Sequence, residues 1–157
     1  MGSCSKPLRD RELRMTQVWE WNDGGRAEAG FRGSTHDCVT RAVAIATEKN
    51  YREVYTAFSK ESRCDSRAWV PRKGIDVRRK WFKEYMNGIG WTWVPTMGIG
   101  TGCSVHLRAD ELPRGRLVVL VSKHYTTMID GVVHDRFDPS RNGKRCVYGY
   151  WMKEGKR

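Results

Sequence analysis

The sequence predicts an α+β domain in which helices come first along the chain and an antiparallel sheet follows. Three apolar patterns with helical spacing lie between residues 38 and 88, and four strand-like runs with short connections lie after residue 115. The chain has 157 residues, 39% hydrophobic and 30% charged, so residues 1–157 are expected to form a single domain with a buried core.

The N-terminal quarter predicts a strand pair that leads to a helix start. Residues 1–14 are polar and mixed in charge, which indicates a loose segment. "TQVWEW" alternates and predicts a strand, "NDGG" predicts a turn, and "RAEAGF" predicts a partner strand. Ser34 or Thr35 is then placed to cap a helix whose first turn holds Asp37.

Three helices are predicted next. Residues 38–47 are almost all apolar or small, which predicts a buried central helix. "YREVYTAFSK" places apolar residues at i, i+3, i+4 and i+7, so a second helix should pack on the first. "IDVRRKWFKEYMNG" predicts a third helix, with Val77, Trp81 and Tyr85 on one face.

The remainder of the chain has the spacing of strands. "WTWVP" predicts a short strand, "MGIGTG" a glycine-rich loop without the Lys-Ser/Thr ending of a phosphate-binding loop, and "ADELP" one helical turn. Four strands should follow in "GRLVVLVS", "HYTTMID", "GVVHDRFD" and "RCVYGYWMK".

The net charge limits the kinds of binding partner, and the cysteine content indicates the cellular compartment. The net charge of +11, with basic clusters in "RKGIDVRRK" and "RNGKR", allows a nucleic acid or an acidic protein as partner, although the sequence shows no helix-turn-helix, zinc-finger or RNA-recognition signature. No apolar run reaches the length of a membrane span, and no secretory signal is evident. Five scattered cysteines do not indicate a disulfide framework, so a cytoplasmic setting is expected.

Cys38 is the candidate nucleophile because it stands at the start of the buried helix. A thiol attacks as thiolate, and a helix N-terminus together with an imidazolium lowers its pKa. Of the four histidines, His124 opens a strand where its ring can project from the end of the sheet. His36 is too close to Cys38 along the chain, His106 follows the glycine-rich loop, and His134 lies inside a strand.

A carboxylate should orient the His124 ring, and two residues compete for this role. Asp138 ends the next strand as part of Asp-Pro, and it is the first choice. A two-residue turn at Asp130-Gly131 would set Phe137 opposite His124 and make Asp135 a diagonal neighbour on the same face. A three-residue loop or a bulge would set Asp138 opposite His124 instead.

These features together resemble the papain-like cysteine peptidases. The resemblance is strongest to the compact double-glycine-leader peptidases of bacterial exporters and to small phage-type relatives. Asp37-Cys38 and "SKHYTTMIDGVVHDRFDP", with His124 and Asp138, carry it, and the order of elements is similar over residues 31–152. The resemblance implies a papain-like fold with a Cys-His-Asp triad, located in the host cytoplasm if the protein is phage-encoded.

The chain departs from the family pattern at the oxyanion donor. Papain-like enzymes usually have a glutamine about six residues before the cysteine, and Arg32 stands there in this chain. Gln17 and Asn22 are the upstream amides that the first hairpin would bring near the site. The backbone N–H of Cys38 is a further candidate donor.

Two functions from different classes follow. The first is a thiol hydrolase that cleaves a peptide or isopeptide bond through an acyl-enzyme and needs no cofactor or metal; an amine in place of water would make it a transferase. The second is a catalytically idle papain-like fold that acts as a basic binding module for nucleic acid or an acidic protein.

Two smaller hypotheses concern a metal and the tryptophans. Cys103 and His106 have metal-like spacing, and His134 and Cys146 are the residues that would complete such a site. Trp69, Trp91 and Trp93 flank the middle of the chain, where they would line a substrate cleft or pack in the core.

Overall fold

Helices precede most of the sheet along the chain, which confirms the predicted α+β class. The computed structural model describes residues 17–33, 36–64 and 74–154, so the predicted loose segment 1–14 lies outside the described residues. The helices are α1 (Cys38–Thr47), α2 (Tyr51–Cys64) and α3 (Lys80–Gly88). The strands are β1 (Trp19–Trp21), β2 (Trp91–Pro95), β3 (Arg116–Val121), β4 (His124–Ile129), β5 (Val132–Asp135) and β6 (Val147–Lys153).

The sheet is mixed rather than purely antiparallel. Its six strands have the order β1-β5-β4-β3-β6-β2, and every pair is antiparallel except β1 with β5. The predicted first hairpin was therefore wrong. β1 instead joins the edge of the sheet beside β5, with Trp21 in register with Asp135.

The segment "RAEAGF" forms consecutive turns instead of a strand because its arginine is buried. The Arg26 guanidinium donates to the carbonyl oxygens of Arg32 at 3.1 Å and Gly33 at 2.9 Å. The Asp23 carboxylate accepts a hydrogen bond from the Gly25 backbone N–H at 2.9 Å. Both interactions curl the chain, so residues 24–30 cannot run alongside β1.

The buried central helix is confirmed. Every residue from Val39 to Ala46 is buried, and α1 packs against β4. The Thr127 hydroxyl of β4 donates to the Ala42 carbonyl at 2.7 Å, and the Arg116 side chain donates to the Ala46 carbonyl at 2.7 Å. Both contacts fix the helix on the sheet, and Arg116 also satisfies carbonyl groups of the last turn, those of Ile45 and Ala46.

The third helix is shorter than predicted. It begins at Lys80 rather than Ile75, because the Asp76 carboxylate accepts hydrogen bonds from the backbone N–H and the side chain of Arg78 and forms a separate turn. The predicted face is half-buried (Val77, Trp81 and Tyr85), and the residues that reach the centre of the core are Phe82 and Met86.

The opposite face of the sheet has its own apolar cluster, to which the segment before β3 contributes Leu107 and Leu112. "ADELP" in this segment forms turns rather than the predicted helical turn. The four predicted C-terminal strands are all present as β3 to β6. No helix in the described part of the chain has the length and apolar character needed to cross a membrane.

Gly149 in β6 lies directly against an aromatic ring. A Cβ atom there would be 2.3 Å from Cζ2 of Trp93, whose ring packs on Trp151 at a centroid distance of 5.5 Å. We expect Gly149→Ala to lower the free energy of unfolding by about 1–3 kcal/mol, because the rings must shift. Urea unfolding would measure this, with Gly88→Ala as the control, since nothing lies within 4 Å of a Cβ there. Equal stability of the two variants would contradict the expectation.

Candidate active site

Cys38 is the first residue of α1 and is half-buried. The buried Asp37 before it anchors this helix start. Its carboxylate accepts a hydrogen bond from the Tyr51 hydroxyl at 2.6 Å and lies 3.1 Å from Nε of Arg26 and 3.1 Å from Nε of Arg41. The first-turn N–H groups of a helix have no intrahelical acceptor, so the thiol stands in a region of positive potential.

His124 is the first residue of β4 and follows the turn at Ser122-Lys123, where Lys123 has a φ of 55°. Its side chain is 10% exposed, and Nε2 lies 2.7 Å from Oδ2 of Asp135. The exposed Phe137 ring packs against the imidazole at a centroid distance of 5.0 Å. Carboxylate and aromatic ring together fix the orientation of the imidazole.

Asp135, the rival in the sequence prediction, is the carboxylate that contacts His124. Ile129 pairs with Val132, so the β4–β5 connection is the two-residue turn Asp130-Gly131, and both turn residues have positive φ. The buried Asp135 carboxylate also accepts hydrogen bonds from the Thr126 hydroxyl and the Arg136 backbone N–H, both at 2.7 Å.

Asp138, the first choice, does not occupy this position. Its carboxylate accepts a hydrogen bond from the Ser140 backbone N–H at 2.9 Å, which is a local turn interaction. The two-residue turn sets the register so that β5 ends at Asp135 and Asp138 lies beyond the strand. The expected contact of Asp138 with the ring is therefore replaced by that of Asp135.

Cys38 and His124 are electrostatically coupled, and their pKa values shift in opposite directions. Burial raises the pKa of the Cys38 thiol, but the hydrogen bond and charge of His124, the Tyr125 backbone N–H and the charge of Arg41 outweigh it and lower that pKa below its ordinary 9.0. Burial lowers the pKa of His124, while hydrogen bonds with Asp135 and Cys38 raise it to about 9. The site therefore favours a thiolate beside an imidazolium.

The backbone N–H of Tyr125 lies beyond the end of β5 and is one of the groups that lower the pKa of Cys38. In an antiparallel pair, alternate residues direct their N–H groups to the same neighbouring strand. Thr127 and Ile129 pair with β5 and share this N–H direction, and Tyr125 is the next residue of β4 that has the same direction. β5 stops at Asp135, so β5 supplies no paired residue for Tyr125. Since Nε2 of His124 faces Asp135, Nδ1 is the ring nitrogen that remains for the sulfur.

The two candidate oxyanion amides lie at opposite ends of β5. The Gln17 amide donates to the Gly131 carbonyl at 2.6 Å and accepts from the Ala109 backbone N–H at 2.8 Å, so it supports the turn and not the site. The Asn22 backbone N–H donates to the Asp135 carbonyl at 2.9 Å, which places Asn22 at the site end. Arg32, at the family's glutamine position, is exposed.

A cavity of about 300 Å³ opens beside the site. Its walls come from α3, the sheet and the turn before α3 (Val77, Arg78, Lys83, Asn87, Trp93, Leu120, Tyr125 and Trp151). Cys38 packs against the apolar cluster that contains two residues of this wall, Tyr125 and Trp151. Trp93 thus lines a cleft as one hypothesis predicted, Trp91 is buried in the core, and Trp69 lies outside the described residues.

The other histidines, and the other cysteines whose side chains the structure describes, do not join the site. Cys103 and Cys146 form a disulfide, which the scattered cysteine spacing did not indicate, so the metal hypothesis that used both sulfurs was wrong. His134 instead lies 3.9 Å from a Glu20 carboxylate oxygen, and His36 is exposed. The sequence spacing does not reveal the disulfide, because the two cysteines are brought together only by the antiparallel bridge between His106 and Cys146.

Comparisons of the chain with protein-family models, with curated proteins and with solved structures find no significant match. The family resemblance of the motifs therefore stays a prediction. The arrangement of Cys38, His124 and Asp135 is the basis for any assignment of function.

Several supporting residues were missed by sequence reasoning. Thr126 is two residues from His124 in the same strand, a spacing that would have indicated a shared face. Arg41 is four residues after Asp37 and is the one charged side chain within α1, which is a signal for a buried ion pair. Arg145 of the basic cluster "RNGKR" donates to the Ser122 carbonyl and so supports the turn before His124; no local pattern indicates this contact.

Arg41 links the helix start to the carboxylate that orients the imidazole. Its Nη1 lies 3.9 Å from Oδ1 of Asp135, and its charge lowers the pKa of Cys38. We expect Arg41→Gln to slow iodoacetamide alkylation of Cys38 at neutral pH by roughly twofold to tenfold, because less of the thiol is ionised. Arg26→Gln is the matched control, since Arg26 is equally buried and also contacts Asp37. Equal slowing in both variants would show that only the Asp37 anchor matters.

Proposed function

We propose that this protein is a papain-like thiol hydrolase that cleaves a peptide or isopeptide bond. The proposal rests on a thiol at a helix start that is electrostatically coupled to a histidine whose Nε2 lies 2.7 Å from a buried carboxylate. Three groups in this order are the arrangement that activates a sulfur nucleophile. The opposite pKa shifts of Cys38 and His124 support the same chemistry.

In the proposed reaction the Cys38 thiolate attacks the carbonyl carbon of the scissile bond and forms a tetrahedral oxyanion. His124 gives its proton to the leaving nitrogen, the C–N bond breaks, and a thioester remains on Cys38. His124 then takes a proton from water, whose oxygen attacks the thioester. The C–S bond of the tetrahedral adduct then breaks and releases the acid product and the Cys38 thiolate, while His124 keeps the proton, so the thiolate–imidazolium pair is restored. An amine in place of water would transfer the acyl group.

The first-turn N–H of Cys38 and the Asn22 side chain are the proposed oxyanion donors. A helix N-terminus directs N–H groups toward the developing charge. The Asn22 amide oxygen accepts a hydrogen bond from the Gly24 backbone N–H at 2.8 Å. This hydrogen bond fixes the orientation of the amide at the end of β5 that is nearer the site.

The cavity beside Tyr125 is the proposed position for a substrate side chain next to the scissile bond. Its walls from Trp93, Trp151 and Leu120 favour an apolar group. Lys83 at the same cavity is exposed, so a carboxylate on the neighbouring substrate residue would be favoured at the mouth.

The experiment treats the full chain with a peptidyl chloromethyl ketone that carries an aromatic residue, and it maps adducts by mass spectrometry. We expect a single adduct on Cys38 and loss of cleavage of a quenched fluorescent peptide library. As pH increases, the cleavage rate should first rise as the thiolate forms, at a pH below the ordinary thiol pKa of 9.0. It should then fall near pH 9, as His124 loses its proton.

Cys38→Ala and His36→Ala are the paired variants for this test. The first should abolish both adduct and cleavage, and the second, at an exposed position, should change neither. No adduct on Cys38 in the folded protein would reject the hydrolase. In that case binding of single-stranded DNA that weakens steeply with salt would favour the idle basic module.

A further inference from the structure

A second cluster of sulfur, imidazole and carboxylate shares no residue with the Cys38 site. Cys103 is exposed and disulfide-bonded to the half-buried Cys146. Nε2 of His106 lies 3.7 Å from the Cys103 sulfur, and Nδ1 of the same ring lies 3.1 Å from Oε1 of Glu111. The described residues give this cluster no hydrogen bond or ion pair with Cys38, His124 or Asp135.

The cluster is held in place by backbone contacts at both ends. His106 and Cys146 form an antiparallel bridge, and the Leu107 backbone N–H donates to the Arg145 carbonyl at 2.8 Å. Nε of Arg108 lies 3.5 Å from the second oxygen of Glu111. The imidazole is therefore oriented on one side by a carboxylate that is itself paired, while its other nitrogen faces sulfur.

We propose that the Cys103–Cys146 disulfide is a thiol-exchange site, in which His106 stabilises Cys103 as the leaving thiolate and Glu111 orients His106. A disulfide opens most readily where the departing sulfur is stabilised as an anion. The Glu111 carboxylate lies 3.1 Å from Nδ1 of His106 and orients the ring so that Nε2 faces the Cys103 sulfur at 3.7 Å. A buried disulfide without such a neighbour would serve as a structural link.

The reaction partner is a dithiol. One thiolate of the dithiol attacks the Cys146 sulfur, the Cys103–Cys146 bond breaks, and its electron pair goes to Cys103. The partner's second thiolate attacks its own sulfur in the mixed disulfide and releases Cys146. The partner is oxidised by two electrons to a disulfide, and the protein disulfide is reduced to two thiols that take up the two protons.

The fold should survive this reaction. The Val147 backbone N–H still donates to the Val105 carbonyl at 2.8 Å, and the Thr96 backbone N–H donates to Tyr148, so the strand start is held without the disulfide. The proposal does not depend on the hydrolase, because its groups are separate from the Cys38 site.

The test reduces the full, oxidised chain with dithiothreitol at neutral pH, traps free thiols with iodoacetamide and follows Cys103 and Cys146 by mass spectrometry. We expect His106→Gln to slow reduction by about tenfold and Glu111→Gln to slow it less. His36→Gln, at an exposed histidine outside the cluster, should have no effect. Circular dichroism and the alkylation rate of Cys38 verify that each variant is folded.

Glutathione identifies the sulfur that is attacked. The mixed disulfide should form on Cys146 and leave Cys103 free, because Cys103 is the sulfur beside His106. Equal reduction rates in the folded His106→Gln variant would overturn the proposal, as would glutathione found on Cys103. Free thiols at both positions in protein oxidised by air would also overturn it.

Discussion

His124→Ala is expected to lower kcat/KM for peptide cleavage by about 10²- to 10⁴-fold, because the variant lacks both the proton donor for the leaving amine and the base for deacylation. It should also slow alkylation of Cys38 at neutral pH by roughly tenfold or more, since the hydrogen bond and charge of His124 lower the pKa of the thiol. The two measurements separate catalysis from thiol ionisation.

His134→Ala is the matched control for this change. His134 lies in the neighbouring strand, is mostly buried and pairs with Glu20 instead of a sulfur. It should leave both rates within about a factor of two if the variant is folded. Unchanged alkylation in a folded His124→Ala variant would mean that the interaction with Cys38 does not ionise the thiol.

Asp135→Asn is expected to lower kcat/KM by between about 10²- and 10⁴-fold, whereas Asp138→Asn should have little effect. The reason is that the Asp135 carboxylate lies 2.7 Å from Nε2 of His124, while the Asp138 carboxylate binds only a turn N–H. Both changes replace one carboxylate with an amide of the same shape. Comparing the two variants therefore distinguishes the role of the triad carboxylate from that of the turn carboxylate. A larger loss from Asp138→Asn would reverse the assignment.

Asp135→Asn should also move the pH dependence in a defined direction. Hydrogen bonding and the Asp135 charge hold the pKa of His124 at about 9, above its ordinary 6.5. The imidazolium contact therefore stabilises the fold fully below pH 6.5, and this stabilisation is lost as pH rises through about 9. The variant should shift the falling limb of the activity profile to lower pH, and its loss of stability should be larger at neutral pH than above pH 9.

The position of the site could be predicted because its sequence signals are local. The all-apolar pattern of residues 39–46 requires a buried helix, and this places Cys38 at a helix start. The strand patterns placed His124 at the beginning of β4. Both signals act through burial of consecutive residues, which a linear pattern records directly.

The choice between Asp135 and Asp138 needed the register of one hairpin. The turn dipeptide Asp130-Gly131 is compatible with more than one loop length in the sequence, and a shift by one residue changes which side chains meet. In the structure Ile129 pairs with Val132, so the two-residue turn is the one that forms. The Asp-Pro pattern that favoured Asp138 marks only the end of the strand region.

The sequence by itself therefore determined the α+β class, the order of the elements and two members of the candidate site, Cys38 and His124. Only the tertiary structure decided that β1 runs parallel to β5, that Asp135 contacts His124 and that Cys103 is bonded to Cys146. The physical reason is the sequence separation of the contacts involved. Helix and strand patterns reflect burial of residues that are neighbours in the chain. Strand register and disulfide pairing depend on contacts between segments distant in the chain, which no local spacing records.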